Sequence, residues 1–249
     1  MLREYLVLFL LGHVLGDFYF QTDQMAEKKE KSFKWVWVHS LVYAVIVFIV
    51  CLPVMSPAIA AGAAMAGVFH LIIDSLKYRS LSSADKHGTR TQSLERKAFF
   101  EDQALHLFGI FVVAYIMVLK GALRSSWEPI HNFFHYAGIS ETLFRSIVLA
   151  ILLVHKPANM IIRKLLLPYK PDLGEEKSSN NAGRFIGTIE RIIMVIFLFI
   201  GQYAAIGLVL TAKSIARYDR ISKEKDFAEY YLLGTLSSTL LAIVFYLVI

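Results

Sequence analysis

Three pairs of ionisable side chains interrupt a chain otherwise rich in Leu, Val, Ile and Phe: His13 with Asp17, His70 with Asp74, and Asp102 with His106. Each pair is spaced i, i+4. On an α-helix that spacing puts both members on one face, about 6 Å apart along the axis. A lone histidine, His39 in "WVWVHS", joins them. Imidazole nitrogen and carboxylate oxygen are the donors of zinc, manganese and iron(II) sites, so the chemistry open to these residues is divalent-metal binding. A metal held there would lower the pKa of bound water and generate a nucleophile near neutral pH. The same residue types also build proton relays and ion-pair networks inside membranes.

The elements that must position these residues follow from bulk hydropathy. Of 249 residues, 56% are hydrophobic, and mean hydropathy is +0.53. That is too apolar for an ordinary soluble domain. Several runs approach the roughly 20 residues needed to cross a bilayer, and they are continuous, unlike the alternating segments of a β-barrel. The fold class expected is all-α, a polytopic transmembrane helical bundle of about six to seven membrane helices. The runs fall at 4–21, 35–52, 58–77, 98–119, 143–167, 184–212 and 229–249. The third carries "AAGAAMAG", suited to close helix packing. His155, Lys156 and Pro157 predict a kinked or partly inserted fifth helix. Three regions are expected: 1–120, a four-helix half with the metal site; 121–183, an interfacial segment, the fifth helix and a linker; and 184–249, a C-terminal helix pair. Cys51, the one cysteine, excludes an intrachain disulfide. The N-terminal run lacks a small-residue cleavage site and reads as a retained helix.

Positive charge orients the first half. Lys28, Lys29, Lys31 and Lys34 lie in the first connection, and Arg79, Lys86, Arg90, Arg96 and Lys97 in the third. Both connections are expected on the cytoplasmic side. His13, Asp17, His39, His70, Asp74, Asp102 and His106 then share one layer near that face, and all seven are candidate ligands. His13, Asp17, Asp74 and Asp102 are the candidate catalytic groups, with His13 a ligand or general base and a spare carboxylate activating water. Gln21, Lys77 and Gln103, with Gln24 and Glu101, rim the layer and could bind an anionic head group or support the ligands. The second half does not orient. If 143–167 spans fully, the basic segment 213–225 falls outside; if it is re-entrant, Arg163, Lys164 and Lys170 do.

Other polar residues read more plainly. His131 and His135 suit an interfacial role on the opposite side, His87 and Asp23 a solvated turn, and His155 the edge of the site or an interface. Glu190, Arg191, Lys213, Arg217 and Glu229 fit charge pairing at helix ends, beside packing through Gly187, Gly234, Thr235 and Ser238. They also fit a patch for a phosphate or carboxylate. The net charge of +6 fits loops near anionic lipid better than nucleic-acid binding. The partners expected are membrane lipids and a lipid or phosphoester substrate, with no nucleic acid; the oligomeric state is not set.

The motifs HxxxDFxxQ, WxxxH, HxxxDxxK and DQxxH, followed by GRxIGxxER and EYxLxGTLxS, resemble the bacterial family of unknown function called DUF3307. The resemblance extends over nearly the whole chain and implies a bacterial inner-membrane protein. More distantly, "VHSL" and "HLIIDSL" resemble the membrane-bound metal-dependent hydrolases regulated with the SOS response. Those carry an Arg-x-x-Thr before the histidine–serine pair, where this chain has Trp35 to Val38. The reading expected is a metal-dependent hydrolase of a membrane-associated ester or phosphoester, with zinc first and manganese or iron as alternatives. A metal- or proton-coupled transporter and a noncatalytic sensor or scaffold with a structural metal are the other readings.

Overall fold

The apolar runs fold as helices. A computed structural model describes residues 1–121, 126–170 and 180–248. Among the described residues there is no β-strand. The chain divides into two compact units, Met1–Leu149 and Ala150–Ile249, with one helix, α7, contributing to both.

The first unit is built on four long elements. Helix α1 (Leu2–Val14) continues into a π-helical turn, Leu15–Tyr19. Helices α3 (Phe33–Cys51), α4 (Pro57–Lys86) and α5 (Gln92–Leu119) complete a ring with it, α1 packing on α3 and α5, and α4 packing on α3 and α5. The ring is therefore closed. Residues around the whole circumference of α1, including Val7, Leu8, Phe9 and Leu10, are buried, as expected of a helix apolar on every side. Pro57 at the first helical position and the Ser56 hydroxyl, which accepts from the Ile59 amide at 3.2 Å, start α4 sharply. Thr91 caps α5 in the same way.

The outer faces are apolar, and the interior, itself apolar along most of its length, carries one polar layer. Leu41, Val45 and Phe48 on α3, Ile72 and Leu76 on α4, and Phe108 and Phe111 on α5 are exposed, while His39, His70 and His106 are buried. In water that arrangement would be unstable; against lipid it is expected. Among the described residues, five helices are long and apolar enough to cross a membrane, and in each no more than 39% of the most apolar stretch is buried. The fold is an all-α membrane bundle.

Several boundaries differ from those read off the sequence. The first connection is not extended: Asp23–Lys31 forms a helix, α2, capped by the Thr22 hydroxyl and packed on α3 and α4. Helix α4 runs beyond the apolar stretch to Lys86, because the polar segment "SLSSADK" holds no breaker until Gly88. Helix α6 (Glu128–Ala137) ends on Gly138 in the left-handed region, and α7 (Glu141–Leu166) passes through Pro157 as one helix. The expected sixth helix is two, α8 (Asn180–Phe199) and α9 (Tyr203–Ile215), broken where Gly201 adopts a φ of +71°. Helices α10 (Tyr218–Lys223) and α11 (Lys225–Val248) complete the second unit, where α8 packs on α9 and α11.

A candidate metal centre

The closed ring brings the predicted layer together at one end of the first unit. His13, His39, His70, Asp74, Asp102 and His106 are each no more than 4% exposed, and Asp17 is 8% exposed. The π-helical turn changes the first pair. A π turn adds about one residue per turn, which rotates Asp17 away from the i, i+4 partnership that an α-helix would give. Asp17 instead accepts from His39 Nε2 at 3.1 Å through Oδ1 and from Gln103 Nε2 at 3.1 Å through Oδ2. His13 stacks on His106 with ring centroids 5.2 Å apart. The other two pairs meet as expected: His70 Nε2 lies 3.4 Å from Asp74 Oδ2, and His106 Nδ1 lies 3.7 Å from Asp102 Oδ1.

Neighbouring small residues make the approach possible. A Cβ on Gly16 would lie 2.7 Å from Tyr43 Cδ2. The bare glycine therefore lets Tyr43 lie flat on His70, with ring centroids 3.7 Å apart and planes within 3°. That stacking fixes the His70 ring, whose Nε2 sits 3.0 Å from His39 Nε2.

The donor set fits a metal. Two groups, Asp17–His39–His70 and His70–Asp74–His106, each offer three ligand atoms within 4.8 Å of one another. Ligands around zinc at about 2.0–2.1 Å are themselves roughly 3.0–3.4 Å apart in octahedral or tetrahedral shells. The spacings here are 3.0 Å (His39–His70), 3.1 Å (Asp17–His39), 3.4 Å (His70–Asp74) and 3.6 Å (His39–Asp74). The His106 Nδ1–H donates to the Asp102 carbonyl at 2.8 Å, which leaves the Nε2 lone pair free. That Nε2 is buried and has no hydrogen-bond partner, and the same is true of His39 Nδ1, His70 Nδ1, Asp74 Oδ1 and Asp102 Oδ1. Each such group costs about 1–3 kcal/mol if left so. A cation bound by His106 Nε2 and Asp74 Oδ1 would offset that cost for those two, while His39 and His70 would face the same ion through their Nε2 atoms.

With this geometry in view, comparison with known families decides the identity: the family model DUF3307, "Protein of unknown function", matches residues 5–134. The chain belongs to the DUF3307 family. The match contains all seven predicted ligands and stops before GRxIGxxER and EYxLxGTLxS, so it does not reach as far as the motif resemblance. No curated protein and no solved structure matches.

Within this DUF3307 centre, two lysines stand against the carboxylates. Lys77 Nζ donates to Asp102 Oδ2 at 2.9 Å, as its place on the rim implies. Lys29 Nζ donates to Asp74 Oδ2 at 3.0 Å. Lys29 is the residue that sequence reasoning missed, since it served there only to orient a connection. Its signal was a helical one: "DQMAEKKEK" is nine residues without a breaker, after a capping threonine. Arg90 anchors the same helix, reaching Glu30 at 2.6 Å, Asp85 at 2.9 Å and Glu95 at 2.7 Å. These three carboxylates hold its pKa above the ordinary arginine value.

Not every candidate joins the two groups. His13 and Asp102 lie beside them. Gln103 bridges Asp17 and Asp102, while Gln21 makes no hydrogen bond to the cluster through its buried Oε1. Gln24, Glu101, His87 and Asp23 are exposed. His131 and His135 line a cleft of about 390 Å³ with Glu4 and Val54, at the other end of the first unit, where His131 Nδ1 lies 3.2 Å from Glu141.

Proposed function

We propose that this protein is a metal-dependent hydrolase of a membrane-associated ester or phosphoester, working near the cytoplasmic face of a bacterial inner membrane. One observation carries the reading: buried imidazoles and carboxylates from four elements bring their ligand atoms within 4.8 Å of one another in two groups that share His70. Asp17, His39, His70, Asp74 and His106 would hold the ion, zinc first and manganese or iron as alternatives. Such an ion supplies Lewis acidity toward water and an ester oxygen.

The remaining residues divide the work. Asp102 keeps Oδ1 free while Lys77 and Gln103 occupy Oδ2, so it serves as proton acceptor. His13, stacked on His106, is the alternative base. Three carboxylates against two ammonium groups leave the layer about one charge negative with neutral imidazoles, and a divalent ion makes it about one charge positive. That sign favours an anionic ester. The Lys29 and Lys77 ion pairs support a second reading, in which the lysines complete a fixed ion-pair network and no ion is needed.

Elemental analysis of detergent-purified protein and melting curves with and without zinc separate the two. The hydrolase reading expects bound transition metal, metal-induced stabilisation by mass action, and turnover of a phosphodiester reporter. Asp74→Asn should lower metal affinity and turnover by about tenfold or more. Protein that neither contains nor takes up metal overturns the reading. Bound metal without turnover on ester and phosphoester reporters leaves a structural ion and removes the enzyme.

A further inference from the structure

The second unit holds a cavity of about 1320 Å³ between α7, α8, α9, α10 and α11. Its wall combines two chemistries. Among the described residues, seven Lys and Arg side chains line it against one carboxylate, Asp219. Between them lie Ile162, Leu166, Phe227 and Tyr230, which give the cavity an apolar side.

The deepest cation is Arg191, 1% exposed. It donates through Nε to the Val154 carbonyl at 2.7 Å, through Nη1 to Ser238 at 3.1 Å, and through Nη2 to Asn159 at 2.7 Å. Every one of these acceptors is neutral. The nearest carboxylate in sequence, Glu190, gives its Oε2 to Lys213 at 2.6 Å. Lys213, Glu190 and Arg191 together carry one net positive charge, and a buried group of net positive charge raises the affinity of its surroundings for an anion. Two hydroxyls on the same wall, Tyr231 Oη and Thr235 Oγ1, are buried without a hydrogen-bond partner. Arg217 lies over the Tyr231 ring at 5.7 Å. Basic pockets among membrane helices suit anionic head groups, and an apolar side suits the hydrocarbon attached to one.

We propose that this cavity binds an anionic amphiphile, its phosphate or carboxylate held among Arg163, Arg217, Tyr231 and Thr235 and its hydrocarbon laid along Ile162, Leu166 and Phe227. The site is independent of the metal centre, which belongs to the other unit. The shared chemistry is the anion, and it could be a lipid head group or a free phosphate.

The test uses the full chain in neutral detergent at fixed ionic strength. Native mass spectrometry follows retention of phosphatidylglycerol and phosphatidylcholine, and melting curves follow inorganic phosphate. Arg163→Gln/Arg217→Gln removes two exposed cations of the wall. Lys31→Gln/Lys86→Gln removes two exposed cations of the first unit as a control. Wild type should retain phosphatidylglycerol over phosphatidylcholine. The wall variant should lose that retention by about tenfold or more, and the control should lose little. Stabilisation by phosphate, lost in the wall variant and without lipid retention, supports the anion site with a soluble source. No anion effect of either kind, or equal loss in the control, overturns the proposal.

Discussion

Each unit buries one polar centre, and the two centres are opposite in sign and in saturation. In the first, Asp17, Asp74 and Asp102 sit among four imidazoles, and ring nitrogens and carboxylate oxygens are left without hydrogen bonds. In the second, Arg191 donates through all three of its nitrogens to Val154, Ser238, Asn159 and Thr188. Hydrogen-bonded closure of that kind ties α7, α8 and α11 to one another and fixes a single packing. The first centre has the donors for a further ligand; the Arg191 network has already spent its own on the fold, and the capacity left in its unit lies beside it, at Tyr231 Oη and Thr235 Oγ1. Burial alone therefore does not mark a ligand site. What marks it is burial with bonding capacity left over.

The largest effect expected is at the saturated centre. Arg191→Leu leaves the Val154 carbonyl, Asn159 and Ser238 without their donor in an apolar surround. The loss should be about 3–5 kcal/mol, since several buried neutral acceptors are left unsatisfied at about 1–3 kcal/mol each. Melting followed by circular dichroism should show a lower midpoint, and added zinc should not restore it. A variant that melts like wild type would mean that the arginine ties nothing together, and the contrast between the centres would fail.

A smaller effect, with a different signature, is expected at the unsaturated centre. Lys29→Met removes the ammonium from Asp74 while keeping much of the side chain's apolar length. Without metal, the exposed debt of a buried carboxylate should lower stability by about 1–3 kcal/mol. With saturating zinc most of that loss should vanish, because the ion takes over the role of the ammonium. An equal loss with and without zinc would show Lys29 to be a permanent partner of Asp74 and would favour the ion-pair network.

How much of this was legible in the sequence differs between the same two centres. The first was legible because i, i+4 spacing survives in three-dimensional structure: the His70–Asp74 and Asp102–His106 pairs needed only a helix and a depth, and the alternating direction of four helices gave the depth. The His13–Asp17 pair was legible in place but not in partnership, because a π turn at Leu15–Tyr19 has no signature that periodicity detects. Lys29 was missed because a polar, basic segment between apolar runs resembles a loop, and its helix depends on a cap and on packing against α3 and α4. The Arg191 network was visible only as charges within an apolar run. Its acceptors, Val154 and Ser238, lie 37 and 47 positions away, and no local pattern reports such contacts.

The smallest effect should come from the charges that lie outside the membrane layer, at Arg90. Its guanidinium touches Glu30, Asp85 and Glu95, more carboxylates than any cation inside the cluster, yet those partners are 38–54% exposed. Ion pairs in that setting are screened by solvent and are usually worth about 0–1 kcal/mol. Arg90→Ala should therefore barely move the melting midpoint. What it should change is local: Arg90 is the side chain that ties α2, through Glu30, to the ends of α4 and α5. Releasing that tie should raise the opening of α2 and speed tryptic cleavage after Lys28 and Lys31 by about two- to fivefold, while global stability holds. High salt should produce the same acceleration in wild type, since it weakens the same exposed pairs. An unchanged cleavage rate would show that α2 is held by the buried Lys29–Asp74 pair and its packing on α3, and that even the surface of the first unit is governed from its polar layer.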